Sequence, residues 1–164
     1  MAIRNILTEE KDGTFLHKKC RPVEKFDKHL AVLLDDMTET LHSANGVGLA
    51  AIQVGVLRRI VVIDIGDGVM ELINPVVLEK SGEQEAMEGC LSIPGKWGMT
   101  KRPKHVKVCA QDRNGKTFEY EGEDLLATVS CHEIDHLDGT LFLSHVTRML
   151  TEEELEKMSS SEGK

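Results

Sequence analysis

His132-Glu133-Ile134-Asp135-His136 is the stretch from which the rest of the chain is read. Two histidines four apart on a helix stand one turn above each other, so both imidazoles can reach one cation. With His132 set at zero and about 100° per residue, His136 lies about 40° away, Glu133 near 100° on one flank and Asp135 near 60° on the other. The histidines share a face with a carboxylate on each side. Glu133 is placed to handle a proton of metal-bound water, and Asp135 to support the ligands from outside. Cys131 lies about 100° from His132 on the flank away from Glu133. It reads as a small buried hydrophobe and not as a ligand.

The residues leading into this stretch sharpen the reading. Leu125, Leu126, Ala127 and Val129 make an apolar helix, in which two imidazoles and two carboxylates are costly unless they pair or bind a cation. Thr128, Val129 and Ser130 are mediocre helix formers, so packing must hold the helix. It is expected over Glu123–Asp138 and is ended by Gly139. Upstream, Leu30, Leu33, Leu34, Met37 and Leu41 follow helical spacing from an Asp27 N-cap to about Ser43, with Asn45-Gly46 as the stop. Between the two helices lie strands. Arg59–Ile65 is β-branched and nearly continuous. Glu71–Asn74 and Val76–Glu79 read as two short strands with Pro75 at the join. His105–Gln111 alternates, and Asn114-Gly115 signals a hairpin that returns along Thr117–Tyr120.

This order predicts an α+β fold. Antiparallel or mixed strands pack around a central metal-binding helix, with a preceding N-terminal helix and a short C-terminal helix. At 164 residues the chain can bury a real core as one domain. Residues 1–150 are expected to form the catalytic domain. Residues 151–164 are expected to be a short helix, Glu152–Met158, and a polar tail. The net charge of −8 argues against bulk affinity for nucleic acid or anionic membrane, though not against a local basic patch. No apolar run is long enough to span a bilayer, and Met1–Glu10 lacks a secretory signal pattern. A cytoplasmic location is expected. Cys20, Cys90, Cys109 and Cys131 form no Cys-x-x-Cys pair, so free thiols are the default and a metal thiolate the exception.

An open catalytic site of the zinc type takes three protein ligands, so a third must come from elsewhere. The residues leave Cys90, Cys109, His105 and His145 as candidates. Cys109 sits mid-strand. Cys90 lies in Glu88-Gly89-Cys90-Leu91-Ser92-Ile93-Pro94, a bend flanked by Gly and Pro that could present a thiolate to the helix. A peptidase drawing on His145, or a metal-stabilised binding module with a closed four-ligand site, are the competing readings.

Three separated stretches then agree. Gly46-Val47-Gly48-Leu49-Ala50-Ala51-Ile52-Gln53, Glu88-Gly89-Cys90-Leu91-Ser92 and His132-Glu133-Ile134-Asp135-His136-Leu137-Asp138-Gly139 resemble the three motifs of peptide deformylases, in that family's order. The resemblance spans about Ile6 to Phe142. It departs at Cys131, where many members carry Gln. It implies Cys90, His132 and His136 as metal ligands and Glu133 as general base and then acid. It implies Fe(II) as native metal, with zinc (Zn), nickel (Ni) or cobalt (Co) as substitutes. The implied reaction is hydrolysis of the N-formyl group from the starting methionine of new polypeptides, releasing formate. The Gln53 side-chain amide and the Leu91 backbone N–H would stabilise the developing oxyanion. The implied partners are N-formylmethionyl nascent polypeptides, with transient ribosome proximity, no direct nucleic-acid binding, no membrane, and a monomer. The substrate would lie extended between Gly46, Val47 and Gly48 on one side and Gly89 on the other. Val47, Ala86, Leu125, Thr128 and Val129 are candidates for the methionine pocket. Glu88 is a candidate for orienting the site. Arg102, in a Lys/Arg-rich loop, reads as solvated, and Trp97 reads as a packing residue rather than a cleft rim.

Overall fold

Antiparallel pairing organises the middle of the chain, and the two apolar helices cover what it leaves exposed. The computed structural model describes residues 2–162. In chain order the elements are α1 (Glu9–Leu16), α2 (Lys28–Ser43), β1 (Gly48–Ala50), β2 (Ile60–Ile63), β3 (Met70–Ser81), β4 (Gln84–Cys90), β5 (Ile93–Arg102), β6 (His105–Gln111), β7 (Thr117–Glu123), α3 (Leu125–Leu137), β8 (Val146–Met149) and α4 (Glu152–Glu162). Short 3-10 turns cover Ala51–Val54 and Phe142–His145. One sheet has the order β1-β2-β3-β6-β7 and the other β4-β5-β8, and every strand pair in them is antiparallel. The fold is α+β.

α2 forms as its sequence dictates. Leu30, Leu33, Leu34, Met37 and Leu41 are all buried, and the Asp27 side chain accepts a hydrogen bond from the Leu30 N–H at 3.1 Å. The helix ends as Asn45 takes a φ of 55°, a left-handed turn that Asn tolerates. β2 is buried throughout and divides its side chains by parity. Ile60 and Val62 face α2, while Val61 and Ile63 face the side covered by α3. Burying one such aliphatic side chain is worth about 1.5–3 kcal/mol. α3 lies on β1, β2, β3 and β7 and also meets β5, so it is enclosed by both sheets.

Four features differ from the expectation. The segments on either side of Pro75 form one strand, β3, whose register shifts between Ile73 and Val76. Asn74 takes a φ of 52° there, accepts from the Val23 N–H at 2.8 Å and donates to Gln111 at 2.9 Å. The irregularity removes Pro75, which has no N–H, from the ladder. The Gly- and Pro-flanked bend around Cys90 is the tip of a long hairpin made by β4 and β5. α1, kinked at Asp12 and interrupted by Gly13, is an element that polar composition hid. The C-terminal helix runs to Glu162, beyond the expected Met158, and the last two residues of the expected tail lie outside the described residues. Among the described residues, no helix is long and apolar enough to cross a membrane.

Candidate metal centre

α3 delivers His132 and His136 to one face, and β4 delivers Cys90. The β4–β5 register slips between Gly89 and Cys90, where the chain turns through Leu91 and Ser92. Ligand atoms of Cys90, His132 and His136 all lie within 4.8 Å of one another. The Cys90 Sγ is 3.3 Å from His136 Nε2, and the two imidazole centroids are 5.1 Å apart. Of the other sequence candidates, His105 faces Ser81 and Glu121, His145 faces Asp135, and Cys109 stays in β6; none joins the cluster. Cys131 packs with Val106, Val108, Ala127 and Ile134, the small buried hydrophobe its helical angle predicts.

The polar surroundings orient His132. Its Nδ1 lies 2.8 Å from Glu88 Oε1, which leaves Nε2 for the cluster. Arg102 donates from Nε to Glu88 Oε2 at 2.7 Å and from Nη2 to Glu88 Oε1 at 2.8 Å. The Thr100 hydroxyl also donates to Glu88. A third Arg102 bond, from Nη1, reaches Asp135 at 2.8 Å. The side chains of Glu88 and Arg102 are each 3% exposed, so Arg102 is a buried counter-ion and not the solvated residue its loop suggests. Its partners lie far off in sequence, which hid it. Burial would raise the Glu88 carboxyl, but the bonds from His132 and Arg102 overcome this and hold it down at about 2.

Glu133 is buried beside the cluster. Its Oε2 is 3.9 Å from His132 Nε2, and its Oε1 has no hydrogen-bond partner. Burial pushes its carboxyl up to about 7. Burial opposes a charge on His132, yet the carboxylate of Glu133 and the bonds to Cys90 and Glu88 lift it to about 10. His136 is pushed well below its ordinary value by burial and by the His132 charge. One thiol and two imidazoles are a donor set suited to Fe(II) or Zn(II), and the unpaired Glu133 oxygen lies beside them without belonging to the cluster. The residues fit a divalent cation.

A cleft of about 510 Å³ opens on this cluster. Val47, Gly48, Gly89, Trp97, Leu125 and Val129 are among its walls, and so are Gly46, Gln53 and Leu91. Ala86 does not line it; Met87 does. Trp97 both rims the cleft and packs flat on Gly89, where an added Cβ would sit 2.6 Å from the ring. Gln53 bridges two motifs: its Oε1 accepts from the Ala50 N–H at 2.9 Å, and its Nε2 donates to Ser92 Oγ at 3.0 Å, with Cys90 Sγ at 3.5 Å. Sequence reasoning missed Thr100, Ser92 and Phe142, whose ring stacks on His132 at 5.9 Å.

The sequence pattern of the polypeptide deformylase family matches residues 3–152. This chain belongs to the polypeptide deformylase family. It is 54% identical to the peptide deformylase of Caldicellulosiruptor bescii over 98% of this chain and 95% of that protein. It is 48% identical to peptide deformylase 1 of Clostridium acetobutylicum over 99% of each. The crystal structure of the Thermotoga maritima enzyme superposes with a TM-score of 0.86 at 38% identity, covering 90% of this chain and 99% of that one. By family this chain is a hydrolase, a peptide deformylase by class, and its fold is the family's.

Proposed function

We propose that the chain removes the N-formyl group from the starting methionine of newly made polypeptides and releases formate. The observation that carries this is the convergence of Cys90, His132 and His136 beside a buried, half-unpaired Glu133 at the end of a cleft. These three residues would hold Fe(II), or Zn, Ni or Co in its place. A bound divalent cation would make water acidic near neutral pH and polarise the formyl carbonyl.

Glu133 accepts the proton of the attacking water and returns it to the leaving amine as the formyl C–N bond breaks. A carboxyl raised by burial is suited to holding and then giving up that proton. Gln53 and the Leu91 backbone N–H stabilise the charge that grows on the formyl oxygen. Gln53 is a neutral donor already held between Ala50 and Ser92, so little ordering remains to be done. β1 and β4 stand at the edges of their sheets, and both contribute residues to the cleft. An extended peptide there would add as a strand between Gly46, Val47 and Gly48 and Gly89. Leu125 and Val129 offer apolar surface for the methionine side chain. Residues 1–150 would act as the catalytic domain, in the cytoplasm, as a monomer, on chains emerging from the ribosome without binding nucleic acid. The acidic balance of the sequence supports the last point.

The test is formate release from formyl-Met-Ala-Ser by protein purified anaerobically with iron, beside a Glu133→Ala control. Release well above the control supports the reading. Equal release from both, with metal bound in each, overturns it.

A further inference from the structure

The segment after α3 grips His132 from two directions. Phe142 lies on the imidazole face, with 19° between the ring planes. His145, three residues on, places Nε2 3.2 Å from Asp135 Oδ2. Asp135 accepts from Arg102, Arg102 forks onto Glu88, and Glu88 meets His132 Nδ1. Val146 then pairs with Thr100, whose hydroxyl donates to the same Glu88. Exposure falls along this path, from 39% for the His145 side chain and 30% for Asp135 to 3% for Arg102 and Glu88. The buried part is therefore tied down at one accessible end.

We propose that His145 is a positioning residue for the metal centre: by holding Asp135 it fixes the Arg102–Glu88 pair that orients His132. This rests on the reading of the cluster as a deformylase metal site. Arg102 Nη1 and His145 Nε2 both meet Oδ2 of Asp135, so without His145 that half-exposed carboxylate keeps one of these two partners and is freer to turn toward water. The guanidinium then loses its anchor at Nη1, and the Glu88 carboxylate gains freedom to tilt. An exposed pair of this kind contributes little to folding. Partners that orient a metal ligand directly change metal affinity by about 10–100-fold. His145 stands farther out, so we assign it a smaller effect, about 3–10-fold.

The experiment loads the full chain with cobalt(II) and follows its visible absorption as a chelator removes the metal, with no substrate present. Three variants are compared with the parent: His145→Leu, His145→Gln (whose amide nitrogen reaches about as far as the imidazole Nε2) and Asp135→Asn. His145→Leu is expected to release cobalt about 3–10-fold faster and to shift the absorption band, while His145→Gln stays within about twofold of the parent. In the Asp135→Asn background, His145→Leu should add no further acceleration. The KM for formyl-Met-Ala-Ser should not change, because His145 lies outside the cleft walls. Release by His145→Leu within twofold of the parent overturns the inference. So does release by His145→Gln as fast as by His145→Leu, or a fully additive double variant. Because metal release is read without substrate, failure of formate release overturns the proposed reaction and leaves this result standing.

Discussion

Gly48→Ala should separate catalysis from folding. A Cβ built on Gly48 would lie 2.6 Å from Glu133 Oε2, 2.7 Å from its Cγ and 2.9 Å from its Cδ, where ordinary contact begins near 3.4 Å. The Glu133 side chain must therefore retreat by roughly 0.8 Å, the difference between those distances. The backbone itself does not resist the substitution. Gly48 is not among the residues with positive φ, and its pairing with Ile63 uses backbone atoms alone. Overpacking of this sort costs about 1–3 kcal/mol, and the flexible target puts Gly48→Ala at the low end. The chemistry is less forgiving. A misplacement of about 1 Å can cost roughly 10²-fold in rate, equivalent to about 2.7 kcal/mol in the barrier. The assay is steady-state formate release from formyl-Met-Ala-Ser, on protein whose metal content has been measured, with a thermal melt of each sample. The kcat should fall by about 50–100-fold, with metal content unchanged and KM within about threefold. In a Glu133→Ala background the same substitution should do nothing further, because the displaced carboxylate is gone. A kcat within threefold of the parent would refute the claim that the bare backbone at Gly48 sets the position of the base.

Arg102→Met leaves the buried Glu88 without its guanidinium and strips Asp135 of the same partner, which should cost about 3–5 kcal/mol. With a urea m-value of about 2 kcal/mol/M, the midpoint should drop by about 1.5–2.5 M, measured at fixed free metal for both proteins; a drop under 0.5 M would show that the pair is not what holds the hairpin to α3. Gln53→Ala should lower turnover by about 10²–10³-fold while metal content stays normal, and unchanged turnover would remove Gln53 from the reaction. The Ala2 N–H and the Arg4 guanidinium hold the Asp36 carboxyl below the usual carboxylate range. A depressed carboxylate stabilises above its ordinary value and loses that contribution as pH falls through its folded value. Amide protection at Arg4, whose N–H meets Thr40, should therefore hold at neutral pH and decline only below about pH 4; the same decline in Asp36→Asn would count against the assignment.

The parts of the fold that could be read from sequence are those whose signal is local. α2 declares itself because five buried side chains recur at helical spacing behind an N-cap. The His132–His136 face is legible because helix geometry fixes the angle between residues four apart, whatever surrounds them. β6 shows its alternation directly. The continuity of β3 across Pro75 could not be read. It depends on Asn74 adopting a positive φ and bonding to Val23 and Gln111, which are 51 and 37 residues away. The β4–β5 hairpin was equally opaque, since its exposed positions are dominated by Lys, Glu, Gly and Pro.

The same hairpin nevertheless carried a signal in its parity. Along β5, burial falls on Gly98, Thr100 and Arg102, alternate positions of one strand. Side chains two apart on a strand share a face. A Gly and a Thr at the two preceding positions of that face mark it as tightly covered: a Cβ at Gly98 would meet Val146 at 2.8 Å. Arg102 inherits that face and must find its counter-charges within it. On β4, Glu88 and Cys90 are likewise two apart, and both turn toward α3, one to the outer nitrogen of His132 and the other to the ligand cluster. Charge composition favours solvent for Arg102 and Glu88, whereas strand parity favours the interior. Parity prevails because β5 meets α3 on that face, which leaves the Arg102 and Glu88 side chains almost without contact to solvent. Two opposite charges placed there by alternation can be buried only as a pair, and that pair is what orients the His132 imidazole.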